Sequence, residues 1–308
     1  QTETKSFLAC PTCHSLNVSH KLKKIHQLKQ TDMKDGIINW NVDPEIFTLF
    51  NTFPIRYYSL SWAIGCGLLY LVVKKVYQKE RIPLENLEQL TMYILIGGLL
   101  GARLGHCFFY EPQYYIQNPL EILLPIRKVG ESFQFTGFQG LASHGGLTGI
   151  VIAIVLYVRK TKTNILWIMD RVALGSGLMA ASIRIGNFMN SEVYGKPTNG
   201  NWGVVFERDD LIPRHPTQLY EAAAYLLIFV VLLFVYKSKK IRRQNGIMVG
   251  IFMILMFTAR FMIEFVKENQ VGFEDSMSIN MGQILSIPLI LLGFGIIYYG
   301  KKPVANNA

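Results

Sequence analysis

IMVGIFMILMFTARFMIEFV, residues 247–266, decides the class of the fold. In these residues only Arg260 and Glu264 are charged, and the length matches the roughly 17–25 residues a helix needs to cross the hydrocarbon core of a bilayer. Six more apolar runs share this character, at 55–73, 90–110, 141–158, 165–188, 219–236 and 281–299. Charged or Pro/Gly-rich connections separate them, and no repeat at a fixed period is apparent. A helix satisfies its own backbone polar groups in lipid, and the alternation that would mark a β-barrel is missing. The sequence predicts an all-α fold, a polytopic membrane helical bundle crossing the bilayer about seven times.

The composition agrees. Half of the 308 residues are hydrophobic and 17% are charged, too little polar surface to cover a water-soluble fold. Lys and Arg outnumber Asp and Glu by 31 to 21, an excess expected of loops held against an anionic leaflet; no nucleic-acid partner is implied. Cys66 and Cys107 fall within apolar stretches and are expected to pack as small hydrophobes. No cleavable signal peptide is evident, so insertion is expected to rely on the first spanning helix.

Residues 1–50 read as an extramembrane tail, 51–302 as the transmembrane unit, and 303–308 as a short C-terminal tail. Lys74, Lys75, Lys79 and Arg81 follow run one, Arg159, Lys160 and Lys162 run three, Lys237, Lys239, Lys240, Arg242 and Arg243 run five, and Lys301 and Lys302 run seven. If every run spans, these clusters share one side, which the positive-inside rule makes cytoplasmic. The N-terminus is then outside and the C-terminus inside. Within the tail, Cys10-Pro11-Thr12-Cys13-His14 has the C-x-x-C-H spacing of haem attachment, and a zinc site using His20 or His26 is a second option. A five-residue match carries little weight, so neither is assigned, and no cofactor or metal is expected.

Polar residues inside spanning segments are costly and mark candidate sites. Arg103, Arg184 with Asn187, and Arg260 with Glu264 lie in the last turns of runs predicted to travel outward. Arg56 with Tyr58, His144, and Tyr220 with Glu221 lie at the starts of runs predicted to travel inward. At about 1.5 Å per residue all fall within the outer third of the bilayer. A lone Arg near a helix end can simply snorkel to the headgroups. Several at one depth beside a His and carboxylates are harder to explain so. Arg184 and Asn187 are i,i+3 and Arg260 and Glu264 i,i+4, so each pair shares a helix face and is expected to interact. Gly97, Gly98 and Gly101, with Gly145, Gly146 and Gly149, read chiefly as close helix packing. Asp170 and Arg171, at the opposite end, read as interfacial anchors.

A cationic cluster at headgroup depth suits a phospholipid phosphate, which Arg can bind bidentately. The chain shows no Gly-x-Ser-x-Gly nucleophile and no Cys beside a His at that face unless Cys107 qualifies, so a second substrate is expected to bring the nucleophile and His144 to take its proton. A transporter or non-catalytic lipid-binding protein is the alternative. Transporter sites tend to lie near the midplane at broken helices, unlike this arrangement.

Six ordered motifs bear a resemblance to the prolipoprotein diacylglyceryl transferase family. They are Gly101-Ala102-Arg103-Leu104-Gly105, Ser143-His144-Gly145-Gly146-Leu147, Arg184-Ile185-Gly186-Asn187-Phe188-Met189-Asn190 with Glu192 and Gly195, Arg214-His215-Pro216-Thr217-Gln218-Leu219-Tyr220-Glu221, Arg260 through Glu264-Phe265, and Met281-Gly282-Gln283-Ile284-Leu285-Ser286. The resemblance runs from about Arg56 to Gly300. Ile183 and Ser191 depart from glycines usual in the family, and Met256 from a usual Tyr.

The resemblance implies transfer of the sn-1,2-diacylglyceryl group from phosphatidylglycerol to the lipobox cysteine of a prolipoprotein signal peptide, in a bacterial plasma (inner) membrane. It implies His144, Arg184 and Arg260 as catalytic residues and Tyr58, Arg103, Asn187, Glu192, Gly195, His215 and Glu264 as substrate-binding. Residues 190–217, with the β-like run Val204-Val205-Phe206, are expected to form a small extracytoplasmic cap.

Overall fold

The computed structural model describes residues 36–49, 53–124, 126–129, 132–135, 140–242, 244–269, 277 and 279–300. The Cys10–His14 motif and the C-terminal tail lie outside the described residues. In chain order the elements are β1 (Ile37–Trp40), β2 (Glu45–Leu49), β3 (Phe53–Arg56), α1 (Tyr57–Glu80), α2 (Leu84–Phe109), α3 (Pro112–Gln117), α4 (Leu120–Leu123), β4 (Ile126–Val129), β5 (Ser132–Phe135), α5 (Ser143–Thr161) and α6 (Ile165–Met189). They continue with β6 (Gly203–Phe206), β7 (Pro213–Arg214), α7 (Thr217–Lys237), α8 (Lys239–Arg242), α9 (Ile247–Ile263), a 3-10 turn (Glu264–Val266) and α10 (Met281–Gly300).

Among the described residues, six helices are long and apolar enough to cross a membrane: α1, α2, α6, α7, α9 with its 3-10 turn, and α10. The chain is a multi-pass membrane protein. The remaining apolar run forms α5, a 19-residue helix short of that measure. Its first turn is polar, Ser143-His144-Gly145-Gly146, and its last carries Arg159 and Lys160.

The helices pack in antiparallel pairs, and small residues decide where. A Cβ on Gly101 would overlap the Gly145 carbonyl and one on Gly149 the Gly97 carbonyl, so α2 and α5 meet backbone to backbone. Gly65 of α1 lies against Met179 and Ser182 of α6, and Gly177 of α6 against Tyr225 of α7. The core forms where α1, α6, α7 and α9 converge, around Leu174, Ala181, Tyr225, Leu232 and Met248. Leu71, Leu95, Leu227, Phe234, Leu291 and Phe294 point away from it, as expected of helices solvated by lipid.

At the end of the bundle where α6 and α9 begin, Asp170 and Arg171 are buried rather than interfacial. The Asp170 carboxylate accepts from the backbone amides of Gly246 (2.7 Å) and Val249 (2.8 Å). It thereby caps the start of α9, which has no side-chain cap of its own. Arg171 donates to Glu80 Oε2 from Nε (3.1 Å) and Nη2 (2.8 Å), and the Tyr236 hydroxyl donates to Glu80 Oε1 (2.9 Å). Adjacent charges in the sequence could not show that each had a partner on another helix. Cys107 is buried as expected, whereas Cys66 is exposed on the outer face of α1.

The opposite end carries a small cap. Its sheet has the order β1-β6-β7, with β1 parallel to β6 in the register Ile37↔Gly203 to Trp40↔Phe206. Residues read as tail therefore supply an edge of the cap, and Val204-Val205-Phe206 does form a strand. The Trp40 indole donates to the Phe188 carbonyl (3.2 Å) and its ring lies 4.4 Å from that of Phe188, which seats the sheet on the last turn of α6. Arg214 pairs with Asp210 and Glu268 and lies 4.8 Å over the Tyr194 ring, closing the cap onto the segment after α9.

Candidate functional site

Under the cap, the ends of α6, α7 and α9 bring charged side chains together. Arg184 and Asn187, three residues apart near the end of α6, interact as the spacing predicts: Arg184 Nη1 donates to Asn187 Oδ1 (3.2 Å). Asn187 Nδ2 in turn donates to Glu192 Oε1 (2.8 Å), which fixes the orientation of the amide. Glu192 sits in a tight turn, between Ser191 at φ 56° and Val193 at φ 61°, and its carbonyl accepts from Gln218 Nε2 of α7 (2.8 Å).

Arg184 Nε lies 2.8 Å from Glu221 Oε2, and Glu221 is fully buried. The other Glu221 oxygen is 3.5 Å from Lys267 Nζ, and Lys267 reaches Glu264 Oε2 at 3.8 Å. One chain of charge therefore runs Asn187–Arg184–Glu221–Lys267–Glu264 across three helix ends. Burial pushes the Lys267 ammonium below the usual lysine pKa, while Glu221 and Glu264 pull it back up.

The expected Arg260–Glu264 pair is not formed: Glu264 is paired with Lys267 instead. Arg260 is half-buried and makes no hydrogen bond or ion pair among the described residues, yet its charge, like that of Arg184, is felt at Lys267. Tyr58, at the start of α1, lies against Gly186, where a Cβ would come within 3.2 Å of its ring, so it borders the Arg184–Asn187 turn.

The other candidates make none of these charge contacts. Gly195 is a packing glycine: a Cβ there would meet Val266 O at 2.5 Å and His215 Cβ at 2.7 Å, and its amide donates to the His215 carbonyl (2.8 Å). His215 Nδ1 is 3.3 Å from the Tyr220 hydroxyl, and its ring is 4.9 Å from Trp202, on the cap side of the cluster. Arg103 is buried among backbone carbonyls of α4. It donates from Nε to Ile122 O (3.0 Å) and from Nη2 to Glu121 O, and stacks 4.8 Å over Tyr115, so it braces α3 and α4 against α2. His144 stands exposed at the first turn of α5, its imidazole without a hydrogen bond or ion pair among the described residues. Lys267 escaped the sequence reading, and Glu221 was noted there without a role. Each is a charge beside an apolar run, which was the available signal.

The prolipoprotein diacylglyceryl transferase family pattern matches residues 44–299. A Bacteroides fragilis protein named phosphatidylglycerol–prolipoprotein diacylglyceryl transferase is 48% identical over 267 residues, 86% of this chain and 96% of the relative. Proteins of the same name from Tolumonas auensis (43% over 268 residues; 87% and 99%) and Porphyromonas gingivalis (42% over 289 residues; 88% and 98%) are also similar. The chain belongs to the prolipoprotein diacylglyceryl transferase family.

As a prolipoprotein diacylglyceryl transferase the chain has three local features with a physical reading. Strand β1 lies N-terminal to the residues that the family pattern matches and pairs in parallel with β6 within them. Ser191, where the resemblance led us to expect Gly, holds a left-handed φ of 56° with a buried hydroxyl that has no hydrogen-bond partner among the described residues. Met256 packs against the core at the α7–α9 contact.

Proposed function

We propose that the chain is a phosphatidylglycerol–prolipoprotein diacylglyceryl transferase that lipidates the lipobox cysteine of prolipoprotein signal peptides. The thiol sulfur attacks the terminal glyceryl carbon of the diacylglyceryl unit. A carbon–sulfur bond forms, the carbon–oxygen bond to phosphate breaks, and glycerol phosphate leaves. A thiol of pKa about 8.5 is largely protonated at neutral pH, so its proton must be taken up, and the exposed His144 is the candidate acceptor. Arg184 and Arg260 hold the phosphate, whose negative charge grows as the bond breaks. Asn187 and Glu192 hold Arg184 in place, Tyr58 borders the headgroup, and His215 approaches from the cap. Gly195 and Arg103 shape the site through packing.

The observation that carries this reading is the pairing of a braced arginine, Arg184, with one that has no protein partner among the described residues, Arg260, at the capped end. We place that end outside a bacterial inner membrane, with the N-terminus outside and the C-terminus cytoplasmic, because the basic loop clusters lie at the other end. The test is thioether formation on a lipobox peptide by the purified chain in vesicles. Phosphatidylglycerol should support it and phosphatidylethanolamine alone should not. Bound lipid without thioether product would leave only a lipid-binding protein.

A further inference from the structure

Arg260 and Glu264 are spaced i,i+4 at the end of α9, where an arginine and a carboxylate ordinarily pair. Two features divert Glu264. It opens the 3-10 turn Glu264–Val266, and in a 3-10 turn residues i and i+3 eclipse, which lays Glu264 beside Lys267. Gly282 of α10 also leaves the space that the carboxylate occupies, because a Cβ there would stand 2.6 Å from Glu264 Cδ.

We infer that Lys267 is a positioning residue that holds Glu264 away from Arg260 and so leaves the Arg260 guanidinium available to an anionic headgroup. Lys267 is 3% exposed and does not itself reach a ligand. Its backbone pairs with Gly195 in an isolated bridge, and its ammonium spans Glu221 (3.5 Å) and Glu264 (3.8 Å). Arg184 and Lys267 are ion-paired with the buried Glu221 and Glu264, whereas Arg260 has no ion partner among the described residues and so carries the charge left open to an anion. A phosphodiester carries the single negative charge that balances it. Without Lys267 two cations face two carboxylates, and Arg260 has its own i,i+4 partner to turn to.

The inference rests on the proposed phosphatidylglycerol reaction, and a charge-compensated cycle tests it with that donor in vesicles. Lys267→Met should lower kcat/KM by roughly 10–100-fold, the usual size for a group that orients a contacting residue, chiefly through KM for the lipid. In a Glu264→Gln background the same change should cost little, because a neutral amide does not compete for Arg260. Lys267→Arg should retain activity. A merely structural lysine predicts equal losses in both backgrounds, and that result overturns the inference. If Lys267→Met alone fails to fold, the double variant must still match Glu264→Gln; a large further loss is again fatal. Wild-type protein without turnover would instead strike the proposed reaction.

Discussion

Replacing Arg184 by Lys separates a phosphate clamp from a scaffold. Arg184 spends Nε on Glu221 (2.8 Å) and Nη1 on Asn187 (3.2 Å), also hydrogen-bonds the Tyr225 hydroxyl, and keeps its other donors in the same fixed plane. An ammonium is a point charge: placed on Glu221, it cannot also reach Asn187 and present a flat edge to phosphate. Losing one oriented donor to a transition state costs about 10²–10³ in rate, some 2.7–4 kcal/mol. The fold should survive, since Glu221 keeps two cations, the new Lys and Lys267 at 3.5 Å. Arg184→Ala is a poorer probe, because removing one partner of a buried pair costs about 3–5 kcal/mol of stability by itself. The assay is the mass shift of a lipobox peptide with phosphatidylglycerol vesicles, alongside thermal unfolding in detergent. Arg260→Lys should behave alike. Normal turnover by both Lys variants would refute the clamp and leave these arginines as scaffold.

His144→Gln should fold normally, as its imidazole has no protein partner among the described residues, but lose most transfer activity at neutral pH; raising the pH toward about 8.5, where the thiolate forms unaided, should restore part of it, and full activity at neutral pH would remove His144 from the chemistry. In intact cells a cysteine placed at Asn199 should react with an impermeant reagent while one at Lys239 is protected; the reverse pattern would overturn the proposed orientation. Ser191→Gly should raise thermal stability by roughly 1 kcal/mol, since it relieves a left-handed residue with a Cβ and deletes a buried hydroxyl without a partner among the described residues. An unchanged or lower melting temperature would mean that the Ser191 turn carries no such cost.

Contacts within one helix were the most legible. Arg184 with Asn187 followed from an i,i+3 spacing, whereas Gly97, Gly101, Gly145 and Gly149 read as close packing without indicating that α2 and α5 are the helices they join. Arg260 with Glu264 had the right spacing and still failed, because a third residue, Lys267, and a local change to 3-10 geometry outcompeted the pair. Contacts across the chain were opaque for a different reason. Nothing near Glu221 announces Lys267, 46 positions on, and nothing near Asp170 announces the amides of Gly246 and Val249 that it caps. The β1 strand was hidden by its polar neighbours, since its pairing with β6 is a backbone matter to which side-chain pattern contributes little.

The two ends of the bundle resolve the cost of buried charge in opposite ways, and the contrast bears on where the chemistry sits. At the basic end both oxygens of Asp170 accept backbone amides and both oxygens of Glu80 accept from Arg171 and Tyr236, so the charges there are matched by donors. At the capped end, buried Asn190 Oδ1, Ser191 Oγ, Gln218 Oε1, both Glu221 oxygens and Glu264 Oε2 have no aligned hydrogen bond among the described residues. Glu221 and Glu264 have cations within 4.0 Å there, Arg184 Nε as close as 2.8 Å. An unmatched buried polar atom costs about 1–3 kcal/mol, and with the three carboxylate oxygens held by cations, Asn190 Oδ1, Ser191 Oγ and Gln218 Oε1 are the ones without a hydrogen bond among the described residues. A bundle built only to be stable would look like the basic end throughout. The capped end is where polar groups with spare hydrogen-bonding capacity gather, which a site for transfer from a phosphodiester to a thiol requires.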